Sequence, residues 1–71
     1  MAESVYSVIE VVGTSTKSWE DAAKQAVETA ASTLDDIRIA EVVTQDATIE
    51  NGKTSTYRVR LNISFKYHSE V

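Results

Sequence analysis

Cysteine and proline are absent from the 71 residues, and histidine and tryptophan occur once each. Without cysteine the chain cannot form a disulfide, and a single histidine leaves too few ligands for a structural zinc site. No apolar run reaches the roughly 20 residues of a membrane span, and the first residues lack the pattern of a signal peptide. We therefore expect a cytoplasmic protein that has no membrane partner.

Positive charge and catalytic side chains are also scarce. Seven Lys and Arg stand against eleven Asp and Glu, for a net charge of −4, whereas nucleic-acid binding needs a basic surface. No cysteine is available as a nucleophile, and the one histidine, His68, lies three residues from the end. The sequence thus predicts neither a nucleic-acid-binding protein nor an enzyme.

The small size of the chain limits its stability. We expect one domain over residues 1–71, and a domain of this size buries only about 60% of its unfolded surface. Disulfides and zinc are excluded, so self-association is the remaining common way to stabilise the fold.

One stretch, residues 18–34, has the periodicity of an amphipathic helix. Its apolar residues recur at spacings of three and four, with polar residues between them. Ser18 is a preferred N-cap, and Asp21 stands where it can complete an approximate capping box. The apolar stripe predicted to face the core comprises Trp19, Ala22, Ala23, Ala26, Val27, Ala30, Ala31 and Leu34.

Three stretches are rich in β-branched and aromatic residues and predict strands over 4–12, 37–49 and 53–67. The first is apolar on both faces, which indicates cover on both sides. Gly13 begins the predicted turn, residues 13–17, from this strand into the helix. Asn51-Gly52 is a preferred hairpin turn between the other two strands. The order strand, helix, strand, strand predicts an α+β fold: one helix on a three-stranded antiparallel sheet with strand order 1-3-2.

The last strand alternates so regularly that it predicts two distinct faces. Its apolar residues point to the helix, and Arg58 and Arg60 point away from it. A simple hairpin register, in which opposite residue numbers sum to 103, places four residues of the preceding strand on the arginine face. This face is either a solvated surface or a site for anionic or amphipathic groups. Its candidate binding residues are Ile39, Glu41, Val43, Gln45, Arg58 and Arg60.

Two carboxylates, Asp35 and Asp36, follow the helix, where negative charge opposes the helix dipole. Either they form a turn just beyond the helix or they bind a cation. Oxygen ligands suit calcium or magnesium, but the spacing of an EF-hand is absent. Glu20 and Asp21 in the first turn complete the set of candidate metal ligands.

Five segments together resemble the dodecins in nearly the whole chain and in the right order. The resemblance implies a hollow shell of twelve identical subunits, with the helices outside and ligand sites where subunits meet. It also implies storage or buffering of a small molecule, commonly a flavin such as FMN or riboflavin, rather than catalysis. The matching segments are Val8–Ser15, Ser18–Ala23, Asp35–Val43, Thr56–Leu61 and Ile63–Phe65.

The chain differs from the flavin-binding members at two positions. Ile39 stands where they have a tryptophan that stacks on flavin, and Arg58 stands where they have a glutamine. An isoleucine has no ring, so the aromatic stacking contribution of about 0.5–1.5 kcal/mol is lost. The pattern Ser18-Trp19-Glu20 followed by Asp35-Asp36-Ile37-Arg38 is similar to a branch of the family that lacks the flavin-stacking tryptophan and includes a calcium dodecin. The ligand is therefore expected to be either a flavin or related anionic cofactor, or a divalent cation.

Overall fold

The computed structural model describes residues 4–67, which form one helix and three strands. Along the chain these are β1 (Tyr6–Ser15), α1 (Trp19–Ala31), β2 (Ile37–Glu50) and β3 (Lys53–Lys66). His68, which we did not assign to a site, lies outside the described residues. Element types and order agree with the prediction from sequence.

The three strands form one antiparallel sheet in the order β1-β3-β2, with α1 on one face. The helix lies mainly over β1 and β3, and Trp19 in its first turn bonds to Asp46 of β2. The predicted α+β fold and strand order are confirmed.

The core is small and lies between α1 and the central strand. Every second residue of β3 from Val59 to Ile63 packs against Ala22 of the helix. The only fully buried hydrophobic residues between 4 and 67 are Ala22, Val59, Leu61 and Ile63. The residues packed around them are Ile9, Val11, Ala23, Ala26, Val27, Ala30 and Ile37. The helix stripe is mostly alanine, which lets the helix lie close to the sheet but buries little area.

Ser18 fixes the start of the helix. Its extended backbone precedes the first turn, and its hydroxyl oxygen accepts a hydrogen bond from the backbone N–H of Asp21 at 3.0 Å. The carboxylate of Asp21 accepts from the Ser15 hydroxyl and from the Gln25 amide. The predicted N-cap is therefore present, and Asp21 joins the helix start to the end of β1.

We expect Ser18→Ala to destabilise the fold by about 1 kcal/mol, because the Asp21 N–H loses its acceptor. For a domain of this size this lowers the melting temperature by about 4–8 °C in thermal unfolding followed by circular dichroism. Ser18→Asp restores an acceptor and should recover most of the loss. Equal melting temperatures for Ser18→Ala and the wild type would contradict this role.

The helix ends at Ala31, three residues before the predicted end. The Ser32 and Thr33 hydroxyls donate to the carbonyl oxygens of Thr29 and Ala30, which replaces further helical bonding with local contacts. Asp36 follows with a φ of 59°, a left-handed conformation in which aspartate is enriched. Asp35 and Asp36 thus lie beyond the helix, in the connection to β2.

Gly13 does not end the first strand, and the prediction of a turn beginning there is wrong. β1 continues to Ser15, with Gly13 opposite Val59 of β3. A Cβ atom at Gly13 would lie 2.3 Å from the carbonyl oxygen of Ala22 and 2.9 Å from the Cβ of Ala26. Gly13 therefore lets the helix cross the strand at close range.

The predicted hairpin register holds from Ile39 to Val42 and again beside the turn, whereas Ile37 lies opposite Phe65 instead of Lys66. Ile39 pairs with Ser64 and Glu41 with Asn62, as predicted. A β-bulge between Val42 and Thr44 then leaves Val43 without a paired residue and shifts the next residues by one. A second irregularity between Thr48 and Ile49 restores the register before the turn. The predicted pairs Gln45–Arg58 and Val43–Arg60 are wrong, and Asp46 and Thr44 take these places.

Candidate functional site

The face of the sheet opposite the helix, here called the open face, has no cover within the chain. It mixes charged, polar and apolar side chains, and among the apolar ones Val8 and Ile39 are 56% and 57% exposed. The register places both beside Ser64, in one row across the three strands. The residues of the open face are Tyr6, Val8, Glu10, Val12, Thr14, Ile39, Glu41, Thr44, Asp46, Arg58, Arg60, Asn62, Ser64 and Lys66.

Both arginines of the open face are paired with carboxylates. Arg58 donates from Nε and Nη2 to the two carboxylate oxygens of Asp46, at 2.7 and 2.9 Å. Arg60 donates from Nη1 to Glu10 Oε1 at 3.2 Å. The positive surface predicted around these arginines is therefore neutralised locally.

Hydrogen bonding between Arg58 and Asp46 favours the charged form of both groups. It lowers the pKa of the Asp46 carboxyl below its usual value and raises the pKa of Arg58. The pair therefore stays ionised and bidentate across the neutral pH range.

The six predicted cofactor-binding residues do not all lie on the same face of the sheet. Ile39, Glu41, Arg58 and Arg60 lie on the open face, as predicted. Gln45 is opposite Val59, so the bulge turns it to the helix side. There it lines a groove of about 420 Å³ together with Trp19 and Val42. Val43 is the extra residue of the bulge.

Trp19 is not a core residue, contrary to its predicted place in the apolar stripe. It is 39% exposed, and its ring meets Tyr57 edge-on with centroids 4.9 Å apart. Its Nε1–H donates to the carbonyl oxygen of Asp46 at 2.9 Å. Trp19 therefore ties the first turn of α1 to β2 next to the Arg58–Asp46 pair.

The four predicted metal ligands are not brought together within one chain. Glu20 and Asp21 lie in the first turn of α1, while Asp35 and Asp36 follow its other end. A helix of this length separates them by about 20 Å. Among residues 4–67, no three acidic or histidine side chains lie close enough together to hold one ion.

Sequence reasoning missed Asp46 and Glu10 as residues of this face. Both are carboxylates in predicted strands, so a search for acidic residues opposite the two arginines could have found them. For Asp46 the required register depends on the bulge, which the alternation of the sequence does not reveal.

The pKa values of Asp21 and Asp46 predict how stability depends on pH. Hydrogen bonds from Ser15 and Gln25 lower the pKa of Asp21, and the bond from Arg58 lowers that of Asp46. As the pH falls, the unfolded chain therefore takes up protons before the folded chain does. The stability that these hydrogen bonds contribute is complete above the ordinary pKa of 3.8 and is lost as the pH falls through the lower pKa values of the folded state. We expect the melting temperature to fall below about pH 4, and less steeply for Asp21→Asn than for the wild type. Parallel curves for the two proteins between pH 2 and 6 would contradict this assignment.

Comparison with known proteins places the chain in a family. The family model described as Dodecin matches residues 5–68. The chain belongs to the dodecin family. Calcium dodecin of Mycobacterium tuberculosis is 49% identical to this dodecin over 63 residues, 89% of each chain.

Two solved structures extend this result. The structure described as the calcium-chelating antigen calcium dodecin from M. tuberculosis, with a novel calcium-binding site, has a TM-score of 0.82 and 46% identity. The match covers 96% of this dodecin and 97% of that chain. Dodecin from Streptomyces coelicolor has a TM-score of 0.92 and 33% identity, with coverage of 99% and 100%. These neighbours share the fold of one helix on a 1-3-2 sheet.

Within residues 4–67, the single helix is too short and too polar to cross a membrane.

Proposed function

We propose that this dodecin is a non-enzymatic binding and buffering protein that assembles into a hollow dodecamer and takes up calcium. The observation that carries the proposal is the open face, which exposes apolar side chains such as Val8 and Ile39, lacks cover within the chain and has its arginines neutralised by carboxylates. A cytoplasmic location fits this role.

Self-association is supported by the amount of apolar surface left exposed. The one helix covers one side of the sheet, whereas Val8, Val12 and Ile39 remain about half exposed on the other. Only four hydrophobic residues between 4 and 67 are fully buried, too few to stabilise an isolated domain by much. Contact between open faces of neighbouring copies would bury these side chains.

A cation is favoured over a flavin by the chemistry of the open face. Ile39 offers no ring for stacking, and the guanidinium of Arg58 already bonds to Asp46 through two of its nitrogens. An anionic cofactor would have to compete with that carboxylate. The 49% identical relative that is named calcium dodecin supports calcium as the ligand.

The acidic residues at the two ends of the helix are the proposed calcium ligands. Since α1 keeps them apart within one chain, a site of six to eight oxygens would need carboxylates from neighbouring subunits. Binding would then depend on assembly. Asp35 and Asp36 are the first candidates because they stand together in a turn outside the helix.

Assembly is tested by light scattering on the purified protein. We expect a mass twelve times that of the 7.8 kDa chain. A stable, folded monomer in dilute buffer would overturn the proposed assembly. Titration with FMN should leave the flavin fluorescence nearly unchanged, and strong quenching would favour flavin as the ligand instead.

Calcium binding is tested by calorimetry on the wild type and on Asp35→Asn/Asp36→Asn. Asparagine also tolerates the left-handed backbone of Asp36, so the turn should persist. We expect the double variant to bind calcium at least about tenfold more weakly, because ligand charge sets the affinity of oxygen sites. Glu28→Gln/Glu50→Gln removes the same charge elsewhere and should bind as the wild type does. An absence of heat in the wild type would overturn the calcium proposal.

A further inference from the structure

We propose that Asp46 determines the charge specificity of the open face. Because Asp46 binds the guanidinium of Arg58, phosphate-bearing ligands bind only weakly to a face that would otherwise bind anions. This inference rests on the proposed hollow assembly, in which the helices lie outside and the open face lies inside, and it assigns the residue that selects which ligands bind to that face. The calcium ligands proposed at the helix ends are not part of it.

The geometry of the pair supports this role. The two nitrogens of Arg58 nearest Asp46 lie 2.7 and 2.9 Å from separate carboxylate oxygens. This planar, two-point contact is the one that an arginine would otherwise make with a phosphate. A phosphate therefore meets a guanidinium whose Nε–Nη2 edge is already used and whose charge is balanced by the carboxylate.

Asp46 is held in this position from both sides of the sheet. The bulge at Val43 moves Asp46, rather than Gln45, opposite Arg58. On the helix side, the indole Nε1–H of Trp19 donates to the Asp46 carbonyl oxygen at 2.9 Å. Tyr57, which packs edge-on against Trp19, is the neighbour of Arg58 in β3. The backbone of Asp46 is thus held opposite Arg58, within reach of the guanidinium.

The other charges of the open face are balanced as well. Arg60 donates to Glu10 at 3.2 Å, and the lowered pKa of Asp46 keeps its carboxylate ionised at neutral pH. The face carries three carboxylates and three cations, of which Lys66 stands at the end of β3 beside Tyr6. Neutralising Asp46 would leave one guanidinium uncompensated near the centre of β3.

FMN and riboflavin are suitable probes because they share the ring system and differ in the phosphate. We expect Asp46→Asn to bind FMN at least about tenfold more tightly than the wild type, and riboflavin equally, in fluorescence titrations at low salt. Asp46→Thr makes the same charge change with a residue that favours strands, so the test does not depend on one variant folding. Glu50→Gln is the matched control: it makes the same charge change in the same strand but outside the candidate binding residues, and Glu50 forms no ion pair within residues 4–67.

The outcomes distinguish release of the Arg58 guanidinium from a general effect of net charge. Tighter FMN binding by both Asp46 variants, but not by Glu50→Gln, would support the proposal. Equal FMN affinity in all four proteins would overturn it, and so would equal tightening in Glu50→Gln, which indicates a net-charge effect. The double variant Asp46→Asn/Arg58→Gln should bind FMN within about twofold of the wild type, because the released guanidinium is removed as well; a double variant that keeps the tenfold gain of Asp46→Asn would also overturn it.

The proposed function is tested by measurements that do not depend on Asp46. A monomeric wild type or an absence of calcium heat would reject the shell or its ligand. The ratio of FMN affinities between Asp46→Asn and Glu50→Gln would still report on Asp46.

Discussion

Gly13→Ala is expected to lower the melting temperature by more than about 10 °C. The added Cβ would lie 2.3 Å from the carbonyl oxygen of Ala22 and 2.9 Å from the Cβ of Ala26. One of these neighbours is backbone inside the helix, so no side-chain rotation relieves the clash, and α1 must move away from β1. Overpacking of this kind costs about 3 kcal/mol or more, a large part of the stability of so small a domain.

Gly52→Ala is the comparison for this prediction. Gly52 has a φ of 75° in the hairpin turn, and a Cβ there would meet no atom within 4 Å. Its substitution should cost only the roughly 1–2 kcal/mol of a left-handed alanine. Thermal unfolding followed by circular dichroism measures both variants. A Gly13→Ala protein that melts at or above the temperature of Gly52→Ala would disprove the close approach of helix and strand.

The sequence sufficed to predict the elements of the fold, because each has a strong periodicity of its own. The spacing of three and four around Ala22 and Ala26 defines the helix, and the alternation through Val59, Leu61 and Ile63 defines the central strand. The connection order then leaves few topologies, and the 1-3-2 sheet is among the simplest of them.

Features that depend on contacts between elements were not predictable in this way. Gly13 resembles a strand end by composition, yet it is required where Ala22 crosses above it. Trp19 fits the helix stripe, but its indole N–H finds the Asp46 carbonyl at the edge of the core. In both cases the partner is distant in sequence, so local patterns carry no signal.

The candidate site was only partly predictable, because some of its contacts also join residues of different elements. The face that carries Arg58 and Arg60 follows from alternation in β3 alone, and this prediction is confirmed. Their partners depend on β2, where one bulged residue exchanges Gln45 for Asp46. That exchange changes a surface predicted to attract anions into one whose arginines are neutralised. The metal assignment to Glu20, Asp21, Asp35 and Asp36 remains a prediction.

Val8→Lys/Ile39→Lys is expected to convert the proposed assembly into single subunits. Both residues are more than half exposed in the isolated chain and flank Ser64 on the open face, so lysine should not disturb the core. In the assembled shell the same positions would be covered by neighbouring copies. Burying two unpaired ammonium groups per subunit there would cost several kcal/mol and would outweigh the apolar contacts.

Light scattering at several protein concentrations measures this change, and circular dichroism checks that the fold persists. Thr29→Lys/Thr33→Lys adds the same charge at exposed positions in and just after the helix, and it should leave the mass unchanged. A loss of assembly in both double variants would assign the effect to net charge. If the Val8/Ile39 variant keeps the mass of the wild type, the open face does not lie between subunits. In that case the binding surface inferred from it must lie elsewhere on the protein.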